Sequence, residues 1–360
     1  MKRLAISLLV AAIVVLASTA GWLAFSLHHS SQPPEEIGEV LIVTNRHMTE
    51  NPDPAARFDG RRGTLRHLRC EVGYRPIPLT DDVAGRVNFF VPTDFQKIEA
   101  VELLQADTFE SAIAADATNP VVLFVHGYYY GFEKTCRMGV ALQRMLDDNA
   151  TVIMFSWPSD ANPADYVADQ ADVEWSAPTL ADLMQRLRTR VGPDRLRVVA
   201  HSLGTRGVLF ALGWLGLEGK SGPVADHLVL LAPDYDATAF RRQFEHIRKM
   251  IDRVTLYAST NDTPLLVSQT LHGYPRLGRA GEHLTVIEGM ETVDVSGVGR
   301  YHPTGHEYFF YHPVVAADLV ELLSLGTPPG ERAHTRSRSR DGLAYWTLER
   351  SESSRLREPE

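Results

Sequence analysis

The chain has 360 residues, 44% of them hydrophobic and 22% charged, an ordinary globular composition that excludes global disorder. That length suits one large α/β domain of roughly 250 residues with flanking segments. A formal net charge of −9 is unfavourable beside a phosphate backbone, so no nucleic-acid partner is expected.

Lys2 and Arg3 precede an uncharged, mostly apolar run from Leu4 to Leu27. About 20 apolar residues span a bilayer, and this run is long enough. Residues 1–29 are therefore expected to be a signal or membrane anchor. A retained anchor is preferred over a cleaved signal, for which Ser18 and Ala20 offer the small residues. The positive-inside rule keeps Lys2 and Arg3 cytoplasmic and sends the body across the membrane, to the periplasm or cell exterior. Residues 30–39 then form a linker, residues 40–326 the folded domain and residues 327–360 a polar tail expected to be mobile. Within that tail, Gly342 to Leu348 reads as a surface-packed strand. Asn45 to Asp82, rich in Arg, Gly, Pro and Asp, reads as loops with short strands.

From Val87 onward, apolar runs alternate with helical segments. The expected strands are Val87 to Val91, Val121 to Val125, Thr151 to Phe155, Leu196 to Ala200, Leu228 to Leu231, Val254 to Ala258 and Leu284 to Ile287. Helices are expected over Phe132 to Asp148, Thr179 to Val191, Arg206 to Leu217 and Thr238 to Ile251. Continuous apolar strands suit burial on both faces, so the alternation predicts an α/β fold with a mostly parallel central sheet and helices on both faces. Cys70 and Cys136 form either one disulfide or two buried thiols. No CxxC or Cys/His metal spacing occurs, so neither metal nor cofactor is expected.

The strongest chemical signal is Val198 to Thr205, VVAHSLGT. A strand ends there in a sharp turn carrying Ser202 and enters a helix, which is the context of a nucleophile elbow. Ala200 replaces the first glycine of the usual G-x-S-x-G, and Gly204 supplies the second. The Leu203 N–H, at the helix start, is positioned to stabilise an oxyanion. A second buried strand ends in His126-Gly127-Tyr128, and the Tyr128 N–H is the expected second oxyanion donor. His126 itself reads as a structural histidine that hydrogen-bonds this loop.

Serine is a weak nucleophile without a base, and the base needs an orienting acid. In this chain order both follow Ser202. Asp262, in YASTND two strands after the elbow, is the first choice for the acid; Asp234, in LLAPD, is the runner-up, with Asp236 behind it. His306, in a loop after the last apolar strand, is the expected base. His302 and His312 lie nearby and read as surface or packing residues. The spacing of the three histidines invites a metal reading, but no HExxH accompanies it.

Together FVHGY (Phe124 to Tyr128), FSWPSD (Phe155 to Asp160), AHSLGT, LLAPD, YASTND and GHEYF (Gly305 to Phe309) resemble a bacterial family of α/β-hydrolases described as predicted esterases or lipases. The resemblance covers roughly Val40 to Leu325 and includes VTNR (Val43 to Arg46) near its start. It implies an α/β-hydrolase fold with Ser202, Asp262 and His306 as a triad, and it implies no particular substrate. The expected activity is hydrolysis of small-molecule or lipid carboxylic esters through an acyl-enzyme. An acyltransferase with the same triad and a non-catalytic envelope binding protein on this scaffold are the alternatives.

Overall fold

The computed structural model describes residues 34–76, 94–113, 118–147, 149–220, 222–300 and 303–349. Its strands are β1 (Glu36–Met48), β2 (Phe58–Pro76), β3 (Asp94–Leu104), β4 (Val121–Val125), β5 (Thr151–Ser156), β6 (Leu196–His201), β7 (Ala225–Leu231), β8 (Ile251–Ala258), β9 (Glu291–Asp294), β10 (Thr335–Arg340) and β11 (Leu343–Leu348). Among the described residues these make one sheet in the order β10-β11-β9-β8-β7-β6-β4-β5-β1-β2-β3. The ladders from β1 through β9 to β11 are parallel, and the β1–β2, β2–β3 and β10–β11 pairs at the two edges are antiparallel.

β4 shows why the central strands read as unbroken apolar runs. Val121, Leu123 and Val125 point into one core, while Val122 and Phe124 point into the other. Each face must then be covered by helices, because side chains alternate across a strand. The helices of eight residues or more are α1 (Ala106–Ile113), α2 (Phe132–Met145), α3 (Tyr166–Trp175), α4 (Ala177–Val191), α5 (Gly204–Leu217), α6 (Ala237–Arg248), α7 (Thr263–His272) and α8 (Pro313–Val320). In α4, Leu180, Ala181, Met184, Leu187 and Val191 are buried at helical spacing and form the stripe that meets the sheet.

Several expectations are corrected. Residues 45–76 are not loops with short strands, because β1 and β2 form a long hairpin of 13 and 19 residues. Its period-2 signal, with Leu68, Cys70, Val72 and Tyr74 buried, is masked by charged residues on the other face. Leu284 to Ile287 is not a strand: Leu284 and Val286 pack into the core from a loop. The ladder is instead made by β9, whose Thr255↔Glu291 to Ala258↔Asp294 pairing joins it to β8. An apolar run reports burial, and burial does not require a strand.

The tail assigned to residues 327–360 is ordered through Glu349. β10 and β11 extend the sheet, and Arg332 is buried in an ion pair 3.3 Å from Asp318. Its polar composition is that of an edge strand, with Arg336, Ser337, Arg338 and Ser339 exposed. Gly342 to Leu348 does hold a strand, β11. At the other boundary, β1 begins at Glu36, inside the expected linker. The expected strand Val87 to Val91, the anchor at residues 1–29 and the last residues of the tail lie outside the described residues. Among the described residues no helix is long and apolar enough to cross a membrane.

Cys70 and Cys136 form a disulfide that ties β2 to α2, with Cα atoms 6.0 Å apart and both residues fully buried. That Cα separation lies in the ordinary range for a disulfide.

Candidate active site

Ser202 occupies the single turn between β6 and α5 with φ 51°. A serine in left-handed backbone is uncommon and must be held by its surroundings. Three hydrogen bonds do so: Ser202 N–H donates to Leu231 O at 3.0 Å, and Ser202 O accepts from Thr205 N at 3.1 Å and Asp234 N at 3.1 Å. Gly204 explains the second small position of the motif, since a Cβ there would lie 2.5 Å from the carbonyl oxygens of Val125 and His126. Gly127 is equally constrained, because a Cβ on it would lie 2.8 Å from Ser202 Cβ. The chain from His126 to Tyr128 is thereby laid directly against Ser202.

His306 and Ser202 line the same cavity of about 700 Å³. His306 Nδ1 is 2.7 Å from Asp262 Oδ2, and the other carboxylate oxygen accepts the Leu265 N–H at 2.9 Å. Asp262 is therefore also the N-cap of α7, a position where a carboxylate is favoured by the helix dipole. Of the candidate acids the structure brings Asp262 to His306. Asp234 borders the cavity, but its carboxylate accepts from Arg276 Nε at 2.7 Å, Ser268 Oγ at 2.6 Å and Tyr166 OH at 2.6 Å. Asp236 caps α6 through Thr238 N and Ala239 N. His312 caps α8 and approaches Val298 O, and His302 lies outside the described residues.

Burial alone would push the His306 pKa down, and it is the largest influence. The Asp262 charge and hydrogen bond, followed by the charges of Glu307 and Asp234, outweigh it and leave the imidazole above its ordinary value. His201 and His126 show the opposite balance, because burial and neighbouring positive groups hold both well below the usual histidine range. His126 Nδ1 lies 2.8 Å from Gly127 O, so this nitrogen carries the proton and donates to its own loop. That is the structural placement expected for it.

Glu307, Lys134 and Tyr130 were not anticipated in this role. Glu307 is buried beside His306 and accepts from both Lys134 Nζ and Tyr130 OH at 2.6 Å. Burial pushes its carboxyl up, but Lys134 and the Tyr130 hydroxyl bring it below the ordinary value. Its adjacency to His306 in GHEYF was the available sequence signal. The remaining wall is mostly apolar, with Tyr128, Tyr129, Tyr166, Pro264, Leu265, Val267 and Leu271 among the lining residues.

Because protonated His306 cannot accept a proton, activity that depends on it should fall as pH drops through a pKa above 6.5. Glu307→Gln removes one of the charges that raise that pKa and should move the acidic limb of kcat/KM to lower pH. A limb that stays in place, measured across pH 5–9, would show that Glu307 does not reach the ionisation that matters.

Residues 102–323 match the family described as alpha/beta hydrolase of unknown function (DUF900), which is more than half of the chain. An uncharacterized protein of Nostoc sp., alr1448, is 41% identical over 51 residues, covering 14% of this chain and 13% of that protein. The match thus spans about an eighth of the length of that relative. Among solved structures, lipase B of Aspergillus fumigatus is similar with a TM-score of 0.37 and 16% identity over 58% of this chain and 53% of that one. A Pyrobaculum calidifontis esterase has a TM-score of 0.37 and 12% identity over 84% of this chain and 90% of that one.

Proposed function

The chain belongs to this family of α/β-hydrolases of unknown function, and we propose that it is a serine hydrolase that cleaves carboxylic esters with a hydrophobic acyl or alcohol group. One observation carries the reading: a single cavity holds Ser202, on a strained elbow, and His306, whose Nδ1 is tied to buried Asp262 at 2.7 Å. With Nδ1–H committed to Asp262, Nε2 is the nitrogen that takes the Ser202 proton as Oγ attacks the ester carbonyl. The oxyanion forms against the Leu203 and Tyr128 N–H groups, and His306 returns its proton to the leaving alcohol. Water, activated by His306 in turn, then adds to the acyl-enzyme and releases the acid. The apolar cavity wall supports the hydrophobic substrate class.

A fluorophosphonate probe followed by peptide mapping tests this directly. The expected adduct is on the peptide carrying Ser202 and is missing in Ser202→Ala. Labelling of a different serine, or no labelling of active protein, would overturn the assignment.

We further propose that the Leu4 to Leu27 segment holds the domain on the far side of the cytoplasmic membrane. The buried Cys70–Cys136 disulfide supports this, since such bonds persist in oxidising compartments. Protease added to intact spheroplasts should digest the domain, and a protein beginning near Gln32 should be soluble and active. Complete protection from external protease would contradict the arrangement. Release into the soluble fraction with a start near Gly21 would instead indicate a cleaved signal.

A further inference from the structure

Arg46 lies in β1, outside the region matched to the family, and its side chain is fully buried. Among the described residues no carboxylate forms an ion pair with it. Asp169, Asp160, Asp59 and Asp172 act on it from a distance, raising its pKa against a larger effect of burial that brings it down to about 10. It remains a cation at neutral pH. Taking such a charge out of water costs several kcal/mol even after relaxation, and an apolar side chain of similar volume would fill the same space without that cost.

The partners of the guanidinium indicate what the charge does. Nε donates to Ser156 Oγ at 2.9 Å, Nη1 to Ser159 O at 2.8 Å and Nη2 to Tyr130 O at 2.5 Å, while Nη2 also lies 3.5 Å from His126 Nε2. With Nδ1 of His126 donating to Gly127 O, its Nε2 is an acceptor facing Arg46. His126 and Tyr130 are the two ends of the loop that lies against Ser202. Between them Tyr129 has φ 66°, a conformation that a tyrosine adopts only when held. Ser159 extends the brace, since its Oγ accepts the Tyr130 N–H at 3.3 Å and donates to Asp169 Oδ2 at 2.5 Å.

We propose that Arg46 is the positioning residue of the oxyanion site, holding both ends of the 126–130 loop so that the Tyr128 N–H stays fixed beside Ser202. The inference rests on the reading of Ser202 as nucleophile. Oxyanion donors contribute because they are aimed before the charge develops, and a displacement of about 1 Å costs about 10²-fold in rate. Lysine keeps the charge but cannot reach four acceptors from one planar fork.

The test compares full-length wild type with Arg46→Lys and Arg46→Met, using a soluble p-nitrophenyl ester, a trifluoromethyl ketone whose serine adduct carries an oxyanion, and thermal unfolding. Arg46→Lys should lose about 10²-fold in kcat with KM changed less than about threefold, and ketone affinity should fall in step with kcat. A residue that only braces the fold would lower Tm and leave ketone affinity unchanged in the protein that remains folded. That outcome, or unchanged kcat in folded Arg46→Lys, overturns the proposal. Should both variants fail to fold, Ser159→Ala decides. It removes the hydroxyl that accepts the Tyr130 N–H and donates to Asp169 Oδ2 while keeping the Ser159 carbonyl that Arg46 reaches, so a parallel loss of about tenfold in kcat and ketone affinity is expected, and no loss refutes the role. A wild type that neither turns over the ester nor reacts with fluorophosphonate refutes the reading of Ser202 itself, whereas an active wild type matched by its variants refutes the role of Arg46 alone.

Discussion

Ser202→Ala is expected to lower kcat for short-chain p-nitrophenyl esters by about 10⁴- to 10⁶-fold, the range seen when the nucleophile of such a set is removed. The fold should barely respond. Only the hydroxyl is lost, the backbone hydrogen bonds of residue 202 to Leu231, Thr205 and Asp234 do not involve it, and alanine meets the same restriction at φ 51°. A change in unfolding free energy within about 1 kcal/mol is expected. The two measurements must be made on one preparation, because loss of activity with loss of folding says nothing about chemistry. A folded Ser202→Ala protein with undiminished turnover would end the serine-hydrolase reading.

What the sequence made legible follows from how local each feature is. The elbow at Ser202 was readable because strand, turn and helix signals fall within eight consecutive residues, and its tight packing needs only a residue without a Cβ, Gly204, at a fixed offset. The central strands were readable because both of their faces are buried. Strand β2 was not, since it alternates Leu68, Cys70 and Val72 with charged residues and the Gly and Pro content of its hairpin with β1 resembles that of a loop. β10 was hidden for another reason: Arg336 to Ser339 are all exposed, so no apolar face marks it as a strand. Arg46 shows the limit for sites. Its partners at Tyr130, Ser156 and Ser159 are between 84 and 113 residues away, and a buried, unneutralised cation leaves no trace in a pattern that treats arginine as a surface residue. The disulfide belonged to the same class, because its 66-residue separation carries no distance information.

The acid assignment gives the other large effect, and it separates two carboxylates that strand order alone left as rivals. Asp262→Asn should lower kcat by about 10⁴-fold. An amide in place of the carboxylate presents its N–H₂ or its oxygen to His306 Nδ1. When the N–H₂ faces that nitrogen, the imidazole proton moves to Nε2 and the ring can no longer accept from Ser202. Helix α7 should survive the change, because asparagine caps a helix about as well as aspartate and can still accept the Leu265 N–H. The loss should therefore persist at high pH, where protonation of His306 is no longer the obstacle. Asp234→Asn should behave in the opposite way. Its carboxylate is paired with buried Arg276 at 2.7 Å, so removing the charge strands a cation and should destabilise the fold by on the order of 3 kcal/mol. The folded fraction should keep most of its kcat, since the hydrogen bonds of Asp234 go to Arg276, Ser268 and Tyr166. Steady-state kinetics and thermal unfolding of both variants, measured side by side from pH 6 to pH 9, distinguish the two. An inactive but stable Asp234→Asn protein beside an active Asp262→Asn protein would move the acid to the end of β7, and the 2.7 Å contact between Asp262 and His306 would then have to be explained as packing alone.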